Sequence, residues 1–551
     1  MKIKYFIRKS VVLMTILIIS SVSCTEKFDS LNIKRGELTA DQMDGSMIGF
    51  AFAEAQHWGM RCWYQGNNLF AGEYSQFQAT VHPNFPSSNY NGPASWANLM
   101  MEGFYSNPGY GAPANQLNFV LDYTSKNNLK PENALAKLWK VMIYHRQTDY
   151  WGPIIYSNFG NGKTSVAFDS QKDIYFDFFK LLDEAATDLR AINASKPATK
   201  IFGTHDLVYE GNILKNLKLL NSLRLRLAIR IAYVDPAKAK IEAEKAASSP
   251  EGFIVDNADN ALSKVNALNV NKLSTITYIS EFVLTSTLAS LMNGYEDPRI
   301  PEYSQPCCGR LTPGNAVFGG LVGFRNGYPA AQRGKEKDLI YSYVGKKWLP
   351  ILNGGSNQFD PIMEASEVFF LRAEGALRGW NMGGTEEILY NAGIKASLIF
   401  RVNSSDAVVD SYVKSIKLPA KPLDRYGKPD QRNSPPVTDI PVLYHQGGSF
   451  ERRLEQIITQ KWLALFPMND TEAWAERRRT GYPKGYSIIE SSNPSLTRTQ
   501  LARRIIYPSN SYSTNGAATT AALTLLGGPD TYATRLWWDA KPLASFPTPT
   551  D

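Results

Sequence analysis

Apolar residues recur every three or four positions through most of the chain, which is the spacing of one face of an α-helix. Proline in the first turn and serine at the cap are typical of helix starts, and both occur here. The pattern therefore predicts a mainly helical protein. The predicted helices are Gln42–His57, a long helix opened by Pro131, a helix capped by Ser170 with Asp173, Leu214–Tyr233, and Pro236 to about Ala247.

The stretch from Glu364 to about Phe400 predicts a pair of packed helices. Its first helix ends near Gly379, the turn lies at Asn381–Gly384, and Thr385 caps the second helix. Helix hairpins of this kind stack into arrays with a period of about 34 residues. The other predicted helices do not keep a strict period, so the sequence indicates a degenerate array.

Three long segments lack helical periodicity: Gln65–Ser95, Gly294–Gly355 and Leu418–Gly448. Loops longer than about 15 residues in a compact protein are usually functional or disordered. These loops are rich in Gly, Pro, Asn, Tyr and Trp rather than in charge, which favours ordered binding loops. A last predicted helix, Glu451–Arg479, is expected to be kinked or divided near Pro467.

Composition narrows the classes of function. Tyr and Trp number 28 and 11 among 551 residues, and both suit binding surfaces as well as cores. Only five His and four Cys occur, and neither a paired-histidine metal motif nor a Gly-x-Ser-x-Gly motif is found. The sequence therefore predicts no metal, no cofactor and no catalytic residue.

Residues 1–23 have the pattern of an export signal. A basic start precedes the apolar run Val11–Ile19, which is about half the roughly 20 residues that a membrane-spanning helix needs. The run ends at Cys24, where a bacterial lipoprotein carries its lipids, although Ser21 stands where Leu is commonest in that motif. We expect lipidation of Cys24 to anchor residues 24–551. A short uncleaved anchor is the alternative.

The charge of the exported chain is small. Four of the 59 basic residues lie in the export signal, so 55 remain against 51 acidic residues and the net charge falls from +8 to +4. That excess is weak grounds for nucleic-acid binding, and none is predicted. The short arginine clusters Arg452–Arg453, Arg477–Arg479 and Arg503–Arg504 are interpreted as parts of solvated helix faces.

Several short phrases, together with the signal that ends at Cys24, resemble the SusD/RagB family of nutrient-binding outer-membrane lipoproteins. They are spread in family-like order over almost the whole exported chain. The phrases are Tyr150–Ile154, Gln171–Tyr175, Asn221–Arg226, Asp297–Arg299, Glu374–Trp380, Gln460–Phe466 and Tyr507–Asn510.

The resemblance implies an all-α fold of tetratricopeptide-like helix hairpins with long irregular loops, forming one ligand-binding domain over residues 24–551. It implies a lipid-anchored protein at the outer surface of the outer membrane, above a SusC-like TonB-dependent transporter. It also implies capture of glycans or other nutrients without catalysis. Binding residues vary within this family, so no contact set is carried over from it.

Candidate contacts follow from the chemistry of a sugar. A flat aromatic ring covers the C–H face of a sugar, and amides or Arg bond its hydroxyls. Loops that mix such residues are the candidates, with core packing as the alternative for each ring. The predicted contacts are Trp63, Tyr64, Asn67, Gln76, Asn89, Tyr90 and Trp96 in or beside the first long loop, and Tyr295, Phe324 and Arg325 in the second.

Two other functions stay open at this point. A surface glycoside hydrolase would use two carboxylates about 5 to 10 Å apart, but no pair of acidic residues stands out. A scaffold whose helix-hairpin groove binds peptides would form a stable complex with the transporter and would bind no soluble nutrient.

Overall fold

The structure is a computed structural model that describes residues 44–60, 65–163, 165–264, 281–305, 320–336, 341–349, 359–422 and 434–551. The chain divides into two units, Met1–Ile48 and Gly49–Asp551, and the second holds the fold described below. This unit is mainly helical, as the sequence predicts. A single ligand-binding domain over residues 24–551 stays a prediction.

The α-helices are numbered in chain order. They are α1 Ile48–Gly59, α2 Ala94–Tyr105, α3 Pro113–Lys126, α4 Lys130–Trp151, α5 Gln171–Ser195, α6 Ile213–Arg230, α7 Pro236–Ala247, α8 Ser286–Tyr295, α9 Ile300–Tyr303, α10 Ala330–Glu336, α11 Ala365–Leu377, α12 Glu386–Val402, α13 Asp406–Val413, α14 Phe450–Leu465, α15 Asp470–Thr480, α16 Ser509–Thr514 and α17 Gly516–Leu526. In the ranges described, no helix is both long and apolar enough to cross a bilayer.

Shorter elements lie between the helices. The strands are β1 Gln78–Thr80, β2 Ala261–Lys264, β3 Phe282–Leu284 and β4 Phe359–Met363, and a short π-helix spans Gln65–Gly72. β1 pairs with β3 and β2 with β4, both antiparallel, with Ala79 opposite Val283 in the first pair. The β1–β3 ladder thus ties the first long loop to a distant part of the chain.

The helix starts confirm the caps that the sequence predicts. Ser170 Oγ accepts a hydrogen bond from the N–H of Asp173, and Thr385 caps α12 in the same way. Pro236 lies in the first turn of α7. The predicted last helix is divided into α14 and α15 near Pro467, as expected.

Packed helix pairs form the core, and they include the predicted pair α11 and α12. α4 packs on α5 and α6 on α7, while α6 also contacts α5 and α11, which joins the pairs into one array. At Gly393 of α12 an added Cβ would lie 2.8 Å from the Phe370 ring of α11. Glycine at position 393 therefore allows α11 and α12 to approach each other this closely.

Buried ion pairs also connect the helices. Arg226 of α6 donates from Nε and Nη2 to the two carboxylate oxygens of Glu367 in α11, each at 2.7 Å. Arg479 of α15 donates to the two oxygens of Glu374 in α11 at 2.7 and 2.6 Å. Such bidentate pairs fix direction as well as distance, so they set how α6 and α15 lie on α11.

The interpretation of Arg477–Arg479 and Arg503–Arg504 as solvated helix faces is wrong. These arginines are buried, and Arg478 and Arg479 are 0% exposed. The Arg478 guanidinium lies 3.7 Å from the centre of the Trp474 ring and donates to the carbonyl of Asp149 at 2.6 Å. The carbonyl that Arg478 bonds lies on another helix, α4, so the local charge pattern could not reveal this partner.

The carboxylate of Glu374 stays ionised in the core. Burial alone would raise the pKa of Glu374, but the charges of Arg479 and Arg378 outweigh burial and lower the pKa to about 2. Because this pKa lies below its ordinary value of 4.5, the ionised carboxylate stabilises the folded state at neutral pH. This contribution is present above pH 4.5 and is lost as the pH falls towards about 2.

We predict that Glu374→Gln lowers the free energy of unfolding by about 3 to 5 kcal/mol at neutral pH, because it removes the buried carboxylate that the Arg479 and Arg378 guanidinium groups share and leaves Arg479 paired with Glu476 only. Urea unfolding measures this loss, and thermal unfolding at decreasing pH measures the acid dependence, which should be shallower in the variant than in the native protein. Lys240→Gln is the control, since it breaks only the exposed pair Lys240–Glu244, 3.9 Å apart, and should change stability by less than about 0.5 kcal/mol. An unchanged acid dependence in Glu374→Gln would contradict the assignment.

Candidate ligand-binding site

The predicted contacts differ in how the structure places them. Trp63 and Tyr64 lie outside the described residues. Among the eight that are described, Trp96 alone is partly exposed, and the other seven are buried. Ligand contact by the seven buried side chains stays a prediction, and the contacts that the structure gives them are with the protein itself.

Gln76 and Arg325 hold the long loops against a common segment. The Nε2 of Gln76 donates to the carbonyl of Tyr486 at 2.7 Å, and its Oε1 accepts from the hydroxyl of Thr287 at 2.7 Å. The Nε of Arg325 donates to the carbonyl of Ser487 at 2.9 Å, and its guanidinium lies 5.1 Å from the centre of the Tyr486 ring. The two side chains therefore brace the first and second loops.

Asn89 is the point where three loop segments meet. Its Nδ2 donates to the carbonyls of Gly327 and Glu490 at 2.8 and 2.9 Å. Its Oδ1 accepts from Arg333, which also donates to the carbonyl of His82 at 3.0 Å. An amide suits this position because it donates twice and accepts as well.

The remaining predicted contacts are packed in the interior. Tyr90 lies with its ring centre 5.6 Å from another tyrosine ring, and Phe324 stacks on a neighbouring tyrosine at 4.7 Å. The hydroxyl of Tyr295 donates to the carbonyl of Ile440 at 2.9 Å. Asn67 is buried within the π-helix. The buried positions of Tyr90, Phe324 and Tyr295 are consistent with core packing, the alternative considered from the sequence for each ring, and ligand contact by the four side chains stays a prediction.

Trp96 belongs to a partly exposed group of rings, His82, Phe85 and Trp96, which we call the aromatic surface. The Phe85 ring centre lies 6.1 Å from Trp96 and 4.6 Å from His82. Behind them, Phe282 stacks on Phe85 at 5.8 Å and Phe70 meets the edge of Trp96 at 5.8 Å. The buried rings hold the exposed ones in place, so the surface is preorganised for stacking.

The ionisable groups near the aromatic surface contribute little net negative charge. His82 lies 3.4 Å from Glu281. Glu73 is buried and accepts a hydrogen bond from the N–H of Thr80 at 3.1 Å. Burial raises the pKa of Glu73 to about 8 against the opposing charge of Arg333. Glu73 is therefore mostly protonated at neutral pH and adds little negative charge.

Polar groups flank the rings. Asn84 and Asn91 are exposed in the same loop as Phe85. Rings that cover an apolar sugar face beside amides that bond hydroxyls are the combination a neutral saccharide needs. Within the residues described, no group of three or more His, Cys, Asp or Glu side chains could hold a metal ion.

The sequence reasoning missed His82 and Phe85, although it placed both in a binding-type loop. The available signal was Pro83–Pro86, in which two prolines enclose Asn84 and Phe85. Proline restricts the backbone of its neighbours as well as its own, so a ring between two prolines is held at the surface at a small entropic cost.

A sequence model of the SusD-like family, described as Susd and RagB outer membrane lipoprotein, matches residues 29–539. The chain belongs to the SusD-like family. The resemblance read from the short phrases is thereby confirmed, and the family is one of outer-membrane lipoproteins. A search of curated proteins found no match.

Solved structures of SusD homologues share this fold. A chitin-binding SusD homologue from Flavobacterium johnsoniae is 32% identical, with a TM-score of 0.78 over 90% of this chain and 98% of its own. A SusD homologue from Bacteroides uniformis ATCC 8492 is 31% identical, with a TM-score of 0.76 over 90% and 100%. One from Bacteroides ovatus ATCC 8483 is 29% identical, with a TM-score of 0.77 over 91% and 100%. The predicted helical, SusD-like fold is therefore confirmed.

Proposed function

We propose that this SusD-like protein is a cell-surface lipoprotein that binds glycans without catalysis and delivers them to a SusC-like TonB-dependent transporter. The observation that carries the proposal is the aromatic surface, since exposed rings fixed on a buried aromatic base are suited to stack on sugars. Membership of the SusD-like family supports the surface location and the transporter as partner.

The first ligands to test are oligosaccharides of chitin, because a 32% identical relative is chitin-binding. The N-acetyl groups of such sugars offer a methyl for an apolar contact and an amide for hydrogen bonds. Exposed Asn84 and Asn91 beside the rings could serve the amide. Malto-oligosaccharides provide a comparison without acetamido groups.

The geometry supports binding rather than hydrolysis. A glycoside hydrolase needs two carboxylic groups placed on either side of the scissile bond. At the aromatic surface, Glu281 is paired with His82, and Glu73 is buried with an oxygen bonded to the backbone of Thr80. We therefore assign neither carboxylate a catalytic role.

We predict that Trp96→Ala weakens oligosaccharide binding by about 1 to 3 kcal/mol, the contribution of one ring that becomes buried against a ligand. Calorimetric titration of the protein with chitotetraose and maltotetraose measures the affinity, and thermal unfolding reports on the fold. Tyr123→Ala is the matched control, because Tyr123 is a partly exposed ring on α3, away from the aromatic surface. An unchanged affinity with a lowered melting temperature would place the Trp96 ring in the core instead.

We expect labelled oligosaccharides to be retained intact after prolonged incubation with the protein, since we propose that the aromatic surface binds them without hydrolysing their glycosidic bonds. Chromatography of the products detects any new reducing ends, and their appearance would favour the hydrolase. A stable complex with the transporter and no affinity for any oligosaccharide would favour the peptide-binding scaffold.

We predict that Cys24→Ser releases the protein from membranes, because lipid chains on Cys24 would be the anchor of the exported chain. Fractionation of cells that produce the variant, with the native protein alongside, measures the distribution. A variant that still sediments with membranes would support the uncleaved anchor.

A further inference from the structure

A second concave surface lies on the other side of α2 from Trp96. One helical turn takes 3.6 residues, so Asn98, Glu102 and Tyr105 lie roughly opposite Trp96 around the helix. Together with the segments 155–163, 166–168 and 508–515 they line a groove of about 500 Å³. This volume is within the range of about 300 to 1,000 Å³ that is usual for small-molecule sites. None of the predicted contacts lines the groove.

Two rings form a fixed platform in the groove. The Tyr105 and Phe159 ring centres lie 5.1 Å apart, and their planes are inclined by 47°. The hydroxyl of Tyr105 donates to the carbonyl of Ile155 at 2.5 Å, which fixes the orientation of its ring. Met101 and Phe168 are buried beside them and complete an apolar floor.

Side-chain amides hold the walls of the groove together. The Oδ1 of Asn98 accepts from the N–H of Asn510 at 3.2 Å, and the Nδ2 of Asn515 donates to the carbonyl of Val166 at 2.7 Å. These bonds link α2 and the segment 166–168 to the segment 508–515, which contains α16. The groove is therefore built by contacts between three separate parts of the chain, and its shape does not depend on one flexible loop.

The charge of the groove indicates the class of ligand. Its lining contains one acidic side chain, Glu102, and one basic side chain, Lys163, so it carries no net charge. Exposed Asn161 lies on the same rim. An anionic ligand such as a phosphate would require a surplus of positive charge, whereas a neutral sugar requires rings for its apolar face and mixed donors and acceptors for its hydroxyls.

We propose that this groove is a second saccharide-binding site, which takes neutral pyranose units over the Tyr105 and Phe159 rings. Glu102 accepts hydrogen bonds from sugar hydroxyls, and Asn161 and Lys163 donate to them. The site is separate from the aromatic surface and does not depend on it. Two sites on one protein would hold a long glycan more tightly than either alone, because the second contact forms within an existing complex.

A glycan array of neutral oligosaccharides, probed with the detergent-solubilised full chain, tests the second site. The variant Trp96→Ala removes one of the three rings of the aromatic surface, and Phe159→Leu is added to it because leucine keeps apolar bulk but lacks a flat face. We expect Trp96→Ala to retain binding to at least one oligosaccharide, and the double variant to lose at least about tenfold of that affinity. Trp96→Ala with Tyr123→Ala is the control and should lose nothing further.

The outcomes separate the two sites. If Trp96→Ala abolishes all binding, the groove is not a saccharide site and the function proposed for the aromatic surface stands. If Trp96→Ala changes nothing and Phe159→Leu alone abolishes binding, the groove is the site and the aromatic surface is not. Ser106→Trp, which places a large side chain at an exposed position on the groove, should block the same ligand without removing a core contact. Retained binding in both groove variants would overturn the proposal.

Discussion

The pairing of buried charges is the constraint on which the helical array depends. A guanidinium in the core needs partners for its N–H groups, and removing the carboxylate of a buried pair costs far more than forming the pair gains. Arg226 and Arg479 both find their carboxylates on α11, which makes α11 the central member of the array. Apolar packing alone would permit several relative positions of one helix along its neighbour. A bidentate arginine–carboxylate pair permits few of them. The rings and loops described above are therefore presented by a frame whose helix positions are closely specified.

The helices could be predicted from the sequence because their causes are local. Ser170 and Thr385 cap the helices that follow them, and the spacing of apolar residues marks the buried faces. The arginines of α15 could not be assigned in the same way. A run such as Arg477–Arg479 has the same local pattern in a solvated helix as in a buried one, and only partners from distant elements decide between the two.

The candidate site was predictable in part for a similar reason. Rings and amides in a long loop indicated binding, and the end of that loop with the first turn of α2 does present partly exposed rings. Composition could not show which of these rings and amides face the solvent, because amide side chains also form the hydrogen bonds that join loops to one another. Asn89 shows this, since its side chain bonds two backbone carbonyls and an arginine. Tyr105 and Phe159 escaped prediction because they are far apart in the sequence and meet only after folding.

Helix α2 has a mechanical consequence for the length of glycan that the two proposed sites could hold together. It rises about 14 Å from Trp96 to Tyr105, and a regular helix of this size neither shortens nor bends appreciably. The distance between the aromatic surface and the Tyr105–Phe159 rings is thus fixed. A ligand bound to both would have to pass around the helix. A disaccharide can occupy one end only, while a polymer can engage both. A spacer of fixed length between the two proposed sites would make long glycans bind more tightly than short ones, which would dissociate faster.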